Sequence, residues 1–310
     1  MSGPAGPARI WAALAVVYVV WGSTYLFILI ASRTLSVFVM SSLRFAVAGG
    51  LLYACAIRRG DTAGDRPGRR EWAAATVVGA ALFLVGNAGV AWAEKRVDTG
   101  VASLIIAAVP LWMALFDRVA CGQRLGRTAV VGLGLGFAGV ALLAWPSGPS
   151  HVDLAGAIAL LVAGAGWAAG SLYSRRAPLP RRPFVSAGMQ MLAGGVLLAI
   201  VAAATGEATA VHDVSATSIL ALLYLIVFGS WLAFTCYSWL LRNARTSLVS
   251  TYAYVNPLVA VFLGWAVENE TVSVRTVVAG VVILAAVALI VTPPRNERAT
   301  EPAPVPVRGR

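Results

Sequence analysis

The stretch Thr99–Leu111, TGVASLIIAAVPL, returns 147 residues later as Thr246–Leu258, TSLVSTYAYVNPL. In both stretches a threonine is followed by a small residue, and a proline precedes the final leucine. The matched pairs are Thr99 and Thr246, Ser103 and Ser250, Pro110 and Pro257, and Leu111 and Leu258. A shift of 146 residues also brings Trp21 onto Trp167 and Arg44 onto Gln190. The chain is therefore predicted to consist of two similar halves.

The composition indicates that lipid surrounds most of the chain. Hydrophobic residues make up 59% and charged residues 12%, whereas an ordinary soluble domain has about 45–50% and about 25%. The net charge of +11 would suggest nucleic-acid binding in a soluble protein. Here the arginines stand in short gaps between apolar runs, which argues against nucleic acid as a partner and favours the lipid bilayer.

Apolar runs of helix length follow one another along the chain, at 10–31, 36–57, 72–93, 100–117, 128–145, 154–174, 184–204, 217–241, 247–266 and 274–292. A helix needs about 20 apolar residues to cross a bilayer, and short gaps favour antiparallel neighbours. We therefore predict an all-α membrane protein with ten transmembrane helices, arranged as two inverted five-helix repeats at 10–145 and 154–292. Residues 1–9 are predicted to be a cytoplasmic N-terminus, and the proline-rich residues 293–310 a disordered cytoplasmic tail.

The two halves are predicted to be inverted because five spans are an odd number, so the second half starts on the opposite side of the membrane. Many secondary transporters have this arrangement, with the substrate site near the midplane between the repeats. Cytoplasmic loops carry an excess of Lys and Arg, and with both termini inside only Arg33, Lys95, Arg96 and Arg275 fall outside. Lys95 is the only lysine among 24 basic residues, as is typical of GC-rich bacterial genomes, so we expect the bacterial inner membrane.

Arg44 is the one charged residue deep within a predicted span. Inserting an arginine at the centre of a span costs about 2.5–3.5 kcal/mol, so its side chain is expected to face the protein interior. One interpretation is an anion clamp for a substrate carboxylate, since guanidinium offers a bidentate fork. The other is a structural arginine that bonds to helix-end carbonyls or lines a wet cavity. Gln190, at the matching place, indicates that both halves need a polar donor there.

Other residues within the spans are candidates for substrate binding. The aromatic candidates are Trp21, Tyr25, Trp167, Tyr237, Tyr252 and Tyr254, for which lipid-facing or packing roles are the alternative. Ser23, Thr24 and Asn87 either bind substrate or bridge helices. Asn256 either satisfies freed backbone groups or touches substrate.

Pro110 and Pro257 lie within spans 4 and 9 and are candidate hinges. Each removes one helix hydrogen bond and frees the carbonyl four residues earlier, at Ile106 and Ala253. The kinks either permit rocking and expose carbonyls to a substrate, or are fixed bends that packing requires.

Acidic residues are absent from the middle of the predicted spans, since Glu94, Asp117 and Glu268 all stand at or near span ends. A proton-coupled exporter of lipophilic cations needs a buried carboxylate. The pattern therefore favours a neutral, zwitterionic or anionic substrate. We expect Glu94 to be a solvated end charge, with a gate paired to Lys95 or Arg96 as the alternative.

The sequence predicts no cofactor, no metal site and no catalytic residue. Gly134-Leu-Gly-Phe-Ala-Gly139 matches a dinucleotide-binding fingerprint, but it lies inside an apolar span with no preceding strand and no acidic partner. His151 and His212 fall in loops away from any cluster of Asp, Glu or Cys. Since nothing resembles an ATP-binding loop, an ATP-driven pump is not expected either.

Four segments resemble EamA-type transporters of the drug/metabolite transporter superfamily, with the strongest likeness to the YedA-like subgroup: Trp21-Gly-Ser-Thr-Tyr25, Leu43-Arg-Phe45, Gly86-Asn87 and Thr251-Tyr-Ala-Tyr-Val-Asn-Pro257. The resemblance implies that helices 1–4 and 6–9 surround a cavity while 5 and 10 pack outside. It also implies export of amino acids or other small metabolites by alternating access. Such proteins usually carry Glu after helices 4 and 9, and Glu270 fits this pattern whereas Gln123 does not.

We therefore expect a secondary transporter that exports a small metabolite, an amino acid or related compound, across the bacterial inner membrane. A membrane-embedded enzyme or a sensor with the same helical fold is the alternative. The expected partners are the small-molecule metabolite and the bilayer, and the expected state is a monomer or homodimer.

Overall fold

The fold is that of a computed structural model, which describes residues 7–59, 67–121, 127–144, 153–180, 182–208, 213–244, 249 and 251–291. The regular elements in these ranges are helices. Residues 1–6 of the predicted N-terminal segment, the predicted tail 293–310, Gln123 and the side chain of Tyr254 lie outside the described residues.

The helices follow the predicted apolar runs. We label them α1 (Pro7–Ala31), α2 (Val37–Arg58), α3 (Arg69–Ala93), α4 (in two parts, Thr99–Ile106 and Val109–Cys121), α5 (Arg127–Ala144), α6 (Leu154–Ser174), α7 (Pro183–Ala204), α8 (216–243), α9 (Tyr252–Glu268) and α10 (Val274–Val291). Their ends have local causes. Asp153 and Ser215 accept backbone N–H bonds at the starts of α6 and α8, and Asn269 ends α9 in the left-handed conformation, with φ of 56°.

Six of these helices, α1, α2, α3, α6, α7 and α8, are long and apolar enough to cross a membrane, and α4, α5, α9 and α10 contain shorter apolar stretches. Their outward faces are also apolar. Exposed positions include Val19, Leu51, Ile200, Leu220 and Val281. A soluble protein rarely presents so continuous an apolar surface, so the bilayer is the environment that this fold requires.

The contacts between helices stay the same when each helix is replaced by its equivalent in the other half. α2 packs along α7, and α5 packs along α10. α1 contacts α8 and α9, while α6 contacts α3 and α4. Exchanging the halves turns α1, α8 and α9 into α6, α3 and α4, so the second set of contacts repeats the first. This is the pattern expected of two equivalent units facing each other.

The crossing of α2 and α7 has the same symmetry at the level of single residues. A Cβ atom added to Gly49 would lie 2.5 Å from the backbone nitrogen of Leu192, and one added to Gly195 would lie 2.5 Å from that of Ala46. Gly49 matches Gly195 and Ala46 matches Leu192 under the shift of 146 residues. Glycine is required at both places because only a missing side chain lets the two backbones approach so closely.

Small residues also set the contacts of α5 and α6. In the glycine pattern of α5, a Cβ atom on Gly136 would lie 2.2 Å from Leu111 of α4, and one on Gly139 would lie 2.8 Å from Ile283 of α10. On α6, Cβ atoms at Gly166 and Gly170 would meet Val85 and Ala81 of α3 at 2.6 and 2.8 Å. These glycines therefore serve helix packing.

Two helices contain a π-helical segment, Ala80–Asn87 in α3 and Leu225–Leu232 in α8. The two segments begin 145 residues apart and thus occupy nearly equivalent places in the two halves. In the first of them, Asn87 Nδ2 donates to the carbonyl of Leu82 at 3.2 Å. π-Helical turns are rare overall, but where they do occur they often lie at functional sites. The space between α3 and α8 is therefore a candidate functional site.

The two prolines lie in different surroundings, because α4 is divided into two parts just before Pro110 whereas α9 is continuous at Pro257. Residues 107 and 108 form a turn that divides α4 into two parts, and Pro110 is the second residue of the second part. Across the turn Ala108 N–H bonds to Ile105 and Leu111 N–H to Ala108, both spanning three residues. Pro257, by contrast, lies inside the continuous helix α9. Pro110 stands in the first turn of the second part of α4, where the missing N–H of a proline costs little. Pro257 removes a hydrogen bond within α9 without dividing that helix.

Candidate binding cavity

A cavity of about 140 Å³ lies within the bundle, between the two halves of the sequence. Its described wall comes from α1, α2, α3, α4, α6, α7, α8 and α9, whereas α5 and α10 pack against each other. The predicted site residues in the wall are Trp21, Thr24, Tyr25, Arg44, Asn87, Trp167, Tyr252 and Asn256, together with the prolines Pro110 and Pro257. Residues far apart in sequence thus converge at one place.

Three predicted site residues lie outside the cavity wall. Ser23 is buried, with its hydroxyl 2.8 Å from that of Tyr224 on α8. Gln190 is also buried, but its amide donates to Ser186 Oγ at 2.8 Å on its own helix. It therefore does not mirror Arg44, and its backbone packs closely on α3, where a Cβ atom added to Gly79 would lie 2.6 Å from the Gln190 carbonyl oxygen. Tyr237 stands behind Trp21, with 4.9 Å between ring centroids.

Arg44 is the only charged residue among the described residues that line the cavity. It is 6% exposed, and its Nε donates to Ser230 Oγ on α8 at 2.9 Å. Its guanidinium carbon also lies 4.9 Å from the ring centroid of Phe45. A guanidinium has five N–H donors in a fixed fork, and the bond to Ser230 uses one of them. This bond fixes the base of the guanidinium at the π-helical segment of α8.

Aromatic rings pack together at the end of the cavity that is nearest Tyr18 and Thr251, which we call the Tyr18 end. Trp21 packs against Tyr237 and meets Tyr252 edge to face, with 5.3 Å between the centroids of Trp21 and Tyr252. The Trp21 indole N–H donates to the carbonyl of Gly229 on α8 at 3.1 Å. The hydroxyls of Tyr18 and Thr251 also form a hydrogen bond. α1, α8 and α9 are thereby held together at this end.

Asn256 joins two helices at the edge of the cavity. In the amide orientation that satisfies its hydrogen bonds, the side chain donates to the carbonyls of Tyr18 and Tyr252 at 3.2 Å each. Neither bond reaches the carbonyl of Ala253, which Pro257 frees. One bond stays within α9, and the other leads to α1. Because Asn256 also borders the cavity, it ties α9 to α1 beside the space that a ligand would fill.

The opposite end of the bundle holds Arg33, Glu94, Thr99, Glu268 and Glu270, and we call it the Glu94 end. Glu270 accepts hydrogen bonds from the backbone N–H groups of Thr99 at 2.7 Å and Gly100 at 3.1 Å, where α4 begins. Arg33 pairs with Glu268 between the ends of α1 and α9. A helix N-terminus with free N–H groups favours a carboxylate, so the segment after α9 is fastened over the start of α4.

Glu94 is not the solvated end charge that its sequence position predicts. It directly follows α3 and is 3% exposed, and neither carboxylate oxygen has a hydrogen-bond partner. The alternative pairing with Arg96 is also wrong, because the Arg96 guanidinium stacks on Trp92 and lies near Asp153. Burial, and next to it the charge of Glu270, raises the pKa of the Glu94 carboxyl well above its ordinary range, an effect that Arg44 opposes.

Several residues of the cavity wall were missed in the sequence. Ser230 and Gly229 lie in the π-helical segment of α8, and Phe45 and Phe83 form a ring pair with centroids 4.4 Å apart. Ser103 was matched to Ser250 in the repeat, yet it was not assigned to the site. A serine in the middle of an apolar span was the one signal available for Ser230.

Comparison with known proteins places these features in a family. Residues 8–145 and residues 154–292 each match the EamA-like transporter family. The inner membrane transporter YedA of Escherichia coli K12 is 37% identical over 90% of this chain and 89% of its own length. A WAT1-related chloroplastic protein of Arabidopsis thaliana is 26% identical over 96% of this chain and 73% of its own length.

The fold is shared with a solved structure as well. A crystal structure with 21% sequence identity superposes with a TM-score of 0.63 and covers 92% of this chain and 96% of the other chain. At that identity the likeness shows the fold alone. The family resemblance predicted from the sequence is confirmed by the matches to both halves and by the similarity to YedA. The chain belongs to the EamA-like transporter family.

Proposed function

We propose that the protein is a secondary transporter that exports a small metabolite bearing a carboxylate, an amino acid or related compound, across the bacterial inner membrane. In this proposal two inverted five-helix repeats rock around the cavity, and both termini face the cytoplasm. The Glu94 end then faces outward and the Tyr18 end faces the cytoplasm. The family and the apolar helices support membrane transport, and the cavity supports the substrate class.

The observation that carries the proposal is the position of Arg44. A buried arginine needs an anionic or polar partner, and the described wall of the cavity provides no acidic residue to pair with it. A substrate carboxylate would complete its coordination, because the guanidinium fork matches a carboxylate in a bidentate geometry. The cavity is also smaller than the roughly 300–1,000 Å³ of sites for drug-sized ligands, which favours a small metabolite.

Alternating access is supported by the way the cavity is bounded. One set of bonds fastens the Glu94 end, and a separate set of rings and hydrogen bonds fastens the Tyr18 end. The break in α4 and the two π-helical segments stand beside the cavity, where a helix can change direction at small cost. Opening one set while the other stays closed would expose the cavity to one side of the membrane at a time.

A growth screen identifies the substrate. Cells with and without the gene are grown with inhibitory concentrations of amino acids and their analogues, since an exporter relieves the toxicity of its own substrate. The compound found is then labelled, and its flux is measured in liposomes that contain the purified protein. Absence of flux for every compound that gives a growth difference would contradict the proposed function.

Replacement of Arg44 by alanine tests the substrate class. Removing one partner of a buried charge pair costs about 2–5 kcal/mol, which corresponds to a loss of roughly 30-fold or more. We therefore expect Arg44→Ala to lower flux of a carboxylate-bearing substrate by at least that factor. Arg58→Ala, at the exposed end of the same helix, should transport normally. If Arg44→Ala inserts into the membrane normally and transports at the wild-type rate, Arg44 does not bind the substrate.

A further inference from the structure

Glu94 continues the face of α3 that forms the cavity wall. Phe83, Asn87 and Val90 line the cavity, and residues spaced three or four apart lie on one side of a helix. Glu94 is the next member of this series, one turn beyond Val90. Glu94 is therefore on the side of α3 that faces the cavity, one turn beyond its last lining residue.

The charged and titratable groups around Glu94 come from three other parts of the chain. Arg44 on α2 attracts its negative charge, and Glu270 after α9 repels it. Tyr25 on α1 lies within electrostatic range as well. The nearest hydroxyl in sequence, that of Thr99 at the start of α4, is buried and likewise has no hydrogen-bond partner. None of these groups donates a hydrogen bond to the carboxylate oxygens.

The two neighbouring carboxyl groups have different surroundings. Glu270 receives two backbone N–H bonds at the start of α4. Glu94 receives none and is buried beside it. Burial, a nearby negative charge and the absence of donors all disfavour the ionised form of a carboxyl, and all three apply to Glu94.

We propose that Glu94 is a proton-binding site of the transport cycle, which takes up a proton when the Glu94 end is open, holds it while both ends are closed, and releases it to water that enters the cavity from the Tyr18 end. This inference rests on the proposed transport function. When the Glu94 end opens, Glu270 leaves the start of α4, and Glu94 takes up a proton from water on that side. After closure the O–H bond of the carboxyl breaks towards water that enters the cavity from the Tyr18 end. The positive charge of Arg44 favours this loss, and the next opening of the Glu94 end restores the proton.

The proton itself is the probe in the first experiment, which needs no substrate. Infrared difference spectra of the full-length protein in lipid nanodiscs, recorded over a pH series, should show the carbonyl band of a protonated carboxyl that disappears as the pH rises. Glu94→Gln should lack this band, and Glu94→Asp should restore a titrating band. Glu71→Gln should keep it, because Glu71 caps the opposite end of α3. A band that persists unchanged in Glu94→Gln would overturn the proposal.

The second experiment uses liposomes and the compound identified by the growth screen. Wild-type protein should accumulate this compound in response to an imposed pH gradient. Glu94→Gln should lose that response and still exchange labelled for unlabelled compound without a gradient, since glutamine resembles the protonated acid. Accumulation driven by pH in Glu94→Gln at the wild-type level would contradict the inference. If the wild-type protein shows no exchange of labelled for unlabelled compound, the proposed transport function is contradicted. The infrared band would still show whether Glu94 binds a proton.

Discussion

At the scale of single residues, the cavity combines one fixed charge with a wall of rings. Arg44 is held at its base by Ser230, and Trp21 is held by the carbonyl of Gly229, so neighbouring residues of one π-helical segment position both. These bonds leave little freedom for either side chain. A transporter needs such a fixed site because each immobilised side chain would otherwise cost affinity on binding.

Replacing Ser230 tests this positioning role. Ser230→Ala removes the acceptor for the buried Nε–H of Arg44, and leaving a buried donor unsatisfied costs about 1–3 kcal/mol. We expect the KM for transport of the carboxylate-bearing substrate to rise by about 5- to 100-fold, with a smaller change in the maximal rate. Ser230→Thr, which keeps the hydroxyl, should restore the KM. Ser32→Ala removes a hydroxyl that bonds only within α1 and serves as the control. Equal KM values for Ser230→Ala and the wild type would show that Ser230 does not position Arg44.

Much of the cavity wall was predictable because few environments suit a polar or aromatic residue inside an apolar span, and the interior of the helix bundle is one of them. Arg44, Trp21 and Tyr252 follow from that constraint. Glu94 and Gln190 do not, since their surroundings depend on distant segments. The segment after α9 brings the charge of Glu270 within electrostatic range of Glu94, and the amide of Gln190 bonds to Ser186 on its own helix. The position of a residue along a span does not show which distant segments pack around it.

At the scale of whole elements, the apolar runs predicted where the helices lie, because a helix that crosses a bilayer must be apolar along most of its length. The π-helical segments and the break in α4 were not predictable in this way. They depend on which backbone carbonyl accepts each N–H bond, and the hydropathy of the chain is the same for an α-helical and a π-helical turn. Pro110 marked the region of the break, but a proline at a helix start and a proline within a helix look alike in sequence.

The crossing of α2 and α7 yields a prediction at this scale. Gly49→Ala and Gly195→Ala each place a Cβ atom 2.5 Å from a backbone nitrogen, so the helices must separate. Overpacking of this kind costs about 1–3 kcal/mol, and we expect both variants to lower the temperature of thermal unfolding in detergent. Gly50→Ala is the matched control, because its added Cβ atom meets nothing within 4 Å. It should leave the unfolding temperature unchanged or raise it slightly, since alanine favours the helix. Unchanged unfolding temperatures for Gly49→Ala and Gly195→Ala would mean that the crossing is loose.

At the scale of the whole molecule, the exchange symmetry of the contacts supports the proposed inversion of the two halves. Two equivalent units can form the α2–α7 and α5–α10 contacts around one axis only if each unit presents the same surface to the other. When that axis lies in the membrane plane, equivalent positions of the two halves face opposite sides of the bilayer. The arrangement of contacts therefore leads to an expectation about sidedness that the positive charges of the loops support independently.

Labelling of single cysteines measures this sidedness. In a background without the native cysteines, Lys95→Cys lies after α3, and Asn243→Cys lies at the end of α8, within one residue of the equivalent position in the second half. Both native residues are exposed. A membrane-impermeant maleimide added to intact cells should label Lys95→Cys, whereas Asn243→Cys should react only after the membrane is permeabilised, because it faces the cytoplasm. Labelling of both from the same side would require the two units to be parallel. The cavity would then no longer lie between inverted repeats, and the rocking mechanism proposed for it would fail.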